Sequence, residues 1–386
     1  MELLNATKMK AGYTMGLKPD GREVLVVVVK GTFTIPRPGQ EPQLAPEQAD
    51  LVMADEFTGE PGLSATKYES EFPPFKPRCD VLFNGSAYAP GGNAATRVDV
   101  GLRVGSMSKT FTVVGNRTWK KSLMFLSATN PEPFVKMPIS YDNAYGGVDK
   151  THEDESKHRA FIDNPAGKGF HHNTAKEVIE GKPLPNTEEI GRSVSSPDGK
   201  YHPMALGAIG RAWAPRPKYA GTYDQDWIDN TFPFLPADFD ERYFQAASED
   251  QQIDHPRGGE EVVLLNLTPA GRTSFKLPTI DVPVTFYYKN YEEKNTKANL
   301  DTIIIEPDLN RFMLVWRTHV PLKKNMFEMA QVVAGTMPRA WHRARMLGKT
   351  WYPSLEHLIS ERQAAGEVIG DETDEEASEE LEESEA

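Results

Sequence analysis

Val24-Leu-Val-Val-Val-Val29 runs without interruption into Lys30-Gly-Thr-Phe-Thr-Ile35, and Pro36 and Pro38 end the run. Branched side chains are stiff at χ1 and pack well on a pleated surface, so this stretch predicts a strand. Its aliphatic part is far shorter than the ~20 residues a bilayer-spanning helix needs. It therefore predicts a buried strand that belongs to a core.

Further along, Asp80 to Phe83, Thr96 to Val104 and Lys109 to Val114 have the same character, separated by Gly and Pro rather than by helical periodicity. Short strands at this spacing predict an antiparallel sandwich and not βαβ units, which need helices between strands. From about 130 to 252 the periodicity fades, and aromatic residues sit among Pro, Gly, Asn and Asp. Such aromatics offer burial, so ordered irregular backbone packed on a sheet is expected. Glu261 to Leu267, Val282 to Tyr288, Leu300 to Ile305 and Arg311 to Val320 predict a second β-layer. After Pro321 the pattern turns helical. Asn325 to Val333 has helical spacing, Pro338 is placed to start a helix through Arg345, and Ser354 to cap a third reaching about Ala365, with Gly366 as its stop. No repeat of about 20 to 50 residues occurs, which disfavours solenoids and propellers.

The expected fold class is mainly β, within the β-rich α+β class. It comprises antiparallel β-sandwich-like layers with long ordered loops, C-terminal helices and a disordered acidic tail. The expected divisions are an N-terminal antiparallel β region over 1–130 and a loop-rich aromatic, Pro and Gly segment over 131–255. A second β-layer over 256–321, helices over 322–366 and the tail over 367–386 follow.

A chain of 386 residues, 39% apolar, suits two compact bodies or one elaborated β-body, and its 30 Gly and 30 Pro imply many turns. The net charge of −13 is concentrated at the C-terminus: 367–386 holds 11 Asp and Glu and no Lys or Arg, leaving 45 acidic against 43 basic residues elsewhere. A nearly neutral body argues against a nucleic-acid protein, which needs clustered positive charge. The single Cys79 fits a reducing compartment, and Met1 to Gly16 lacks the apolar run of a signal peptide, so a soluble cytoplasmic protein without membrane contact is expected.

The richest polar constellation is Gly221-Thr-Tyr-Asp-Gln-Asp-Trp227 followed by Leu235-Pro-Ala-Asp-Phe-Asp240. Asp224, Asp226, Asp238 and Asp240 offer either a general acid/base pair for a hydrolase or backbone caps in turns, with Trp227 and Phe239 as anchors. His152, His158, His171 and His172, near Glu153, Asp154, Glu155 and Asp163, match no zinc motif, and a solvated loop is the plainer reading. Gly167-Lys-Gly169 lacks the rest of a phosphate loop, no Ser sits in a nucleophile elbow, and Cys79 at a strand start reads as buried and inert. The residues point to no catalytic group, metal or cofactor. The helix around Pro338 to Gly348 carries Arg339, His342, Arg343 and Arg345 beside Trp341, Met346 and Leu347. Its apolar face suits packing on the body, and its basic face suits an acidic partner or the chain's own tail. The tail, in turn, reads as a solubilising appendage or a partner mimic.

An ordered set of motifs adds to this. Lys30-Gly-Thr-Phe33, Lys76-Pro-Arg-Cys-Asp-Val81, Gly85-Ser-Ala-Tyr-Ala-Pro90 and Arg117-Thr-Trp119 come first. Pro133-Phe134, Met137-Pro-Ile-Ser-Tyr-Asp-Asn-Ala-Tyr-Gly-Gly147, Asn164-Pro-Ala-Gly-Lys-Gly-Phe170 and Leu184-Pro-Asn-Thr-Glu188 follow. Trp213-Ala-Pro-Arg216, the two Asp-rich stretches, Phe244-Gln-Ala-Ala247 with Asp250-Gln251, and Gly258-Gly-Glu260 complete it. In this order, over roughly 15 to 290, the chain resembles a bacterial family first catalogued as a domain of unknown function, whose members look like adaptors or chaperones of type VI secretion effectors. The family's usual Pro-x-Gly-Phe-Gly is altered here to Pro203-Met-Ala-Leu-Gly207.

The resemblance implies binding of an effector in the cytoplasm, through its N-terminal or PAAR-type region, and loading onto the VgrG spike. A hydrolase using the Asp-rich 221–240 segment and a structural part of the secreted particle are the competing readings. No residue-level site carries over from the family. Candidate partner contacts are therefore taken from residue type: Tyr145, Phe170, Trp213, Arg216, Tyr223, Trp227, Phe239, Arg339, Arg343 and Arg345.

Overall fold

A computed structural model of the chain describes residues 1–121 and 125–352, together with 354, 357 and 359. Every side chain from Val24 to Val29 is buried, although strand side chains alternate between the faces of a sheet. Both faces must therefore be covered, and they are by different means. Leu25, Val27 and Val29 enter the main core, while Val24, Val26 and Val28 pack with Val315 against Leu51 and Phe72 from a loop.

The Glu23–Thr34 strand lies inside a seven-stranded sheet, between Lys10–Leu17 and Arg311–Pro321. Beyond Arg311–Pro321 come Asn299–Glu306, Cys79–Phe83 and the short Gln252–Ile253, and Gln43–Leu44 pairs with the end of Glu23–Thr34. A five-stranded sheet runs Thr187–Glu188, Met107–Val114, Arg97–Val104, Glu261–Leu265, Arg272–Lys276. A four-stranded sheet runs Glu2–Asn5, Met329–Ala334, Pro283–Tyr288, Glu293–Lys297. One buried cluster draws on all three, joining Val27 and Ile303 to Val100, Phe111 and Leu264, and to Phe286 and Val332. The fold is thus mainly β, with its sheets layered about a shared core.

Within these three sheets two pairings depart from an antiparallel arrangement: Asn299–Glu306 lies parallel to Cys79–Phe83, and Glu2–Asn5 lies parallel to Met329–Ala334. Neither pair is joined by a hairpin. The long connections leave strand direction free to be chosen by packing.

The segment over 131–255 is irregular and holds only very short strand pairs, such as Tyr145–Gly146 with Lys168–Gly169. Part of it covers the outer face of the seven-stranded sheet, where Ala208, Ala246 and Ala247 pack on Leu82, Ile304 and Met313.

The C-terminal region needs one correction. Asn325 to Val333 is not a helix: Asn325 caps a single 3-10 turn, Met326–Glu328, and the chain then extends into the Met329–Ala334 strand. A short apolar run fits either period, and here pairing with Pro283–Tyr288 on one side and Glu2–Asn5 on the other decides it. The next helix does form, as Arg339–Met346, with Pro338 at its N-cap and Trp341 buried against Tyr287 and Val333. Most of the third expected helix and the whole acidic tail lie outside the described residues.

Candidate protein-binding surface

The sequence motifs meet in the interior, where they hold one another. Asp80 is fully buried and accepts from Lys76 Nζ at 2.7 Å, Gln245 Nε2 at 2.7 Å and the backbone N–H groups of Ala246 and Ala247 at 2.8 and 3.1 Å. Gln251 Nε2 donates to Val81 O and Leu206 O, while its Oε1 accepts from the buried Lys109 at 2.9 Å. Asn164 Nδ2 donates to Tyr141 O and Tyr145 O, and Asn186 Nδ2 donates to Val114 O. Buried polar groups of this kind cost several kcal/mol when left unpaired, so each of these motifs depends on the others for its hydrogen bonds.

Four candidate contact residues belong to this interior. Tyr145 is buried with its hydroxyl 2.9 and 2.8 Å from Pro197 O and Gly199 O, and burial pushes its pKa upward. Phe170 packs edge-on against Tyr145, and Trp213 packs edge-on against Tyr141. Arg216 is buried, donating to Glu69 Oε1 at 2.7 Å, Ile209 O at 2.8 Å and Tyr243 O. Tyr145, Trp213 and Arg216 thus have most of their surface taken up within the fold, and Phe170 is half-buried beside them.

The Asp-rich segment behaves differently. Gln225–Asn230 forms a short helix that Asp224 caps, its Oδ1 accepting the Trp227 N–H at 2.9 Å. Asp238 closes the segment by accepting the Thr222 N–H at 2.9 Å and its hydroxyl at 2.7 Å. Gly221 sits at φ +84°, and a Cβ there would lie 2.9 Å from Asp238 Oδ1, so the closure requires glycine. Trp227 Nε1 donates to Phe234 O at 2.9 Å, and the Trp227 ring meets Tyr223 and Phe232 edge-on at 4.8 and 5.6 Å.

What these caps hold in place is apolar and open to solvent. Tyr223 is 52% exposed, Ile228 55%, Phe232 66% and Phe234 44%. Trp227 is half-buried among them, and Phe239 is half-buried beside Tyr243 and Phe244. Apolar patches on a rigid frame mark interaction sites, and aromatic side chains carry most of the binding energy at such sites. Phe234 in turn rests on the turn at Gly21, where a Cβ would lie 3.3 Å from its ring.

The four carboxylates have local partners and none hydrogen-bonds another among the described residues. Asp226 accepts from Asn230 Nδ2 at 2.8 Å, and Asp240 accepts the Arg242 backbone N–H at 2.9 Å and its guanidinium. Hydrogen bonds from Thr222 lower the pKa of Asp238, and those from Arg242 lower that of Asp240.

The other polar candidates are placed as follows. His152 Nδ1 accepts the Asp154 N–H and His158 Nε2 lies 3.0 Å from His152 O, while His171 is half-buried with its pKa pushed down by burial. Among the described residues no three His, Cys, Asp or Glu are arranged to hold a metal ion. Lys168, between the two glycines, donates to Asn143 Oδ1 at 2.9 Å and Asn186 Oδ1 at 2.6 Å and so fastens two motifs. Cys79 is buried, and burial pushes its thiol pKa well up.

On the Arg339–Met346 helix, Arg345 stacks over Tyr287 at 3.9 Å and donates to Gln331 Oε1 at 3.1 Å. Arg339 and Arg343 are exposed, beside an exposed Met346 and Leu347. Sequence reasoning found Tyr223 and Trp227 but missed Phe232, Phe234 and Ile228. The available signal was an aromatic pair, Phe232-Pro-Phe234, between two Asp-capped turns.

No helix among the described residues is long and apolar enough to cross a membrane. Comparison with curated proteins and with solved structures finds no match. A family model described as an uncharacterized protein conserved in bacteria (DUF2169) matches residues 20–317, and the chain belongs to that family.

Proposed function

We propose that this chain is a cytoplasmic adaptor that binds a type VI secretion effector, through the effector's N-terminal or PAAR-type region, and promotes its loading onto the VgrG spike. The observation that carries the binding role is the capped, preformed aromatic surface of Tyr223, Trp227, Ile228, Phe232 and Phe234. A surface already ordered before contact loses little conformational entropy on binding. The nature of the cargo comes from the motif resemblance described above.

The test is co-expression of the full chain with the toxin and spike proteins encoded in its genomic neighbourhood, followed by size-exclusion chromatography. Co-elution with the toxin, lost in Phe232→Ala, is the expected result. A soluble toxin that elutes apart from the wild-type chain would overturn the reading.

A further inference from the structure

We infer that the outer edge of the Lys10–Leu17 strand accepts an extended, uncharged segment of the partner as an added antiparallel or parallel strand. This deepens the adaptor reading and rests on it.

The phase of the ladder shows which groups are open. The turn after the strand closes with Lys18 N–H donating to Arg22 O at 3.0 Å and Gly21 N–H to Lys18 O at 2.9 Å. In an antiparallel ladder hydrogen-bonded and non-bonded pairs alternate. With Lys18 and Arg22 as a bonded pair, Gly16, Thr14, Gly12 and Lys10 bond to Val24, Val26, Val28 and Lys30. Ala11, Tyr13 and Met15 therefore direct their N–H and C=O groups away from the sheet. Among the described residues these groups have no backbone partner, and Met15 O meets only the Thr14 hydroxyl at 3.4 Å.

Protein sheets protect open edges with charge, brevity or cover. The other edges here follow that rule. Glu293–Lys297 reads Glu-Lys-Asn-Thr-Lys, Arg272–Lys276 has a charge at each end, and Gln252–Ile253 and Thr187–Glu188 are two residues each. Glu2–Asn5 is four residues long and begins with Glu2. Lys10–Leu17 is eight residues with no charge after Lys10, and it shows Tyr13, 39% exposed, and Met15, 38% exposed, on one face. A guest strand without charge, with apolar side chains at alternate positions, satisfies both the open backbone groups and these two side chains.

The edge also leads to the aromatic surface. Its strand ends at the turn whose Gly21 carries the Phe234 ring, so one partner segment passing along Tyr13 and Met15 continues onto Phe234 and Phe232. A second copy paired about a two-fold axis would instead turn its own aromatic surface to the far end, beside Lys10, and leave this one uncovered.

The probe is an acetylated, amidated octapeptide of alternating threonine and valine, with a central-proline version as control, added to the isotope-labelled full chain. In the free protein the amides of Ala11, Tyr13 and Met15 should exchange faster than those of Gly12, Thr14 and Gly16. With peptide the first three should slow by about tenfold or more. Met15→Pro removes an outward N–H and no hydrogen bond of the sheet, and Met15→Lys adds an edge charge, so both should abolish this protection with the melting temperature kept. Equal protection by the proline control, or none by the alternating peptide, overturns the inference. So does a dimer that Met15→Lys dissolves. Effector capture that survives in Met15→Lys overturns strand addition and leaves the adaptor reading intact, whereas peptide protection without effector capture overturns the adaptor reading alone.

Discussion

Asp80 and Lys76 form an ion pair of 2.7 Å with their side chains 0% and 5% exposed, at the point where the Cys79–Phe83 strand meets the Gln245–Ala247 segment. Removing one member of a buried, hydrogen-bonded pair strands the other's charge and typically costs about 3–5 kcal/mol. Asp80→Ala also leaves the Ala246 and Ala247 N–H groups unpaired. Urea unfolding should show a loss at the upper end of that range, and a loss within about 1 kcal/mol would refute this account of the motif.

Phe232→Ala should separate binding from folding. The ring is 66% exposed, so its removal should change stability by no more than about 0.5 kcal/mol. Effector affinity should fall by about 2 kcal/mol, or roughly thirtyfold, as for an aromatic anchor. Calorimetry on the purified complex checks the second figure and thermal unfolding the first.

Asp224→Ala removes the oxygen that accepts the Trp227 N–H. A lost N-cap costs about 1 kcal/mol, and the Gln225–Asn230 helix is too short to hold without it. Trp227 fluorescence should shift toward that of a solvated indole, and affinity for the effector should fall along with stability. Retained stability with loss of a hydrolytic turnover would instead assign the carboxylate to catalysis.

Acid should destabilise the chain partly through His319. It packs edge-on against Phe75, and burial, then Lys18, Lys294 and Arg317, push its pKa below the ordinary value of 6.5. The folded state thus favours neutral imidazole. Its contribution is present above about pH 6.5 and is lost as pH falls toward the depressed folded value, because the unfolded chain takes up the proton first. The urea midpoint should fall between about pH 7 and 5.5, and His319→Gln should reduce that slope; an unchanged slope would remove His319 as a contributor.

Much of the fold was legible in the chain itself. Val24–Val29, Arg311–Val320 and the strands around Val100, Phe111, Val262 and Ile303 lie where apolar, β-branched residues predict them, because burial and χ1 stiffness are local properties. The capping role of Asp224 and Asp238 was also readable, since an Asp before a turn finds its N–H partner within a few residues or across one closure. Tertiary structure alone decided that Met329–Ala334 is a strand, for its partners lie at the N-terminus and at Pro283–Tyr288, and a short apolar run has no period of its own. It also decided which aromatics face outward. Tyr145 and Trp213 are the same kind of residue as Tyr223 and Phe232, and only the packing of distant segments around them separates interior from surface. The open edge at Ala11, Tyr13 and Met15 is of the same sort: whether a strand has one neighbour or two depends on how the whole sheet is assembled, and no stretch of sequence records that by itself.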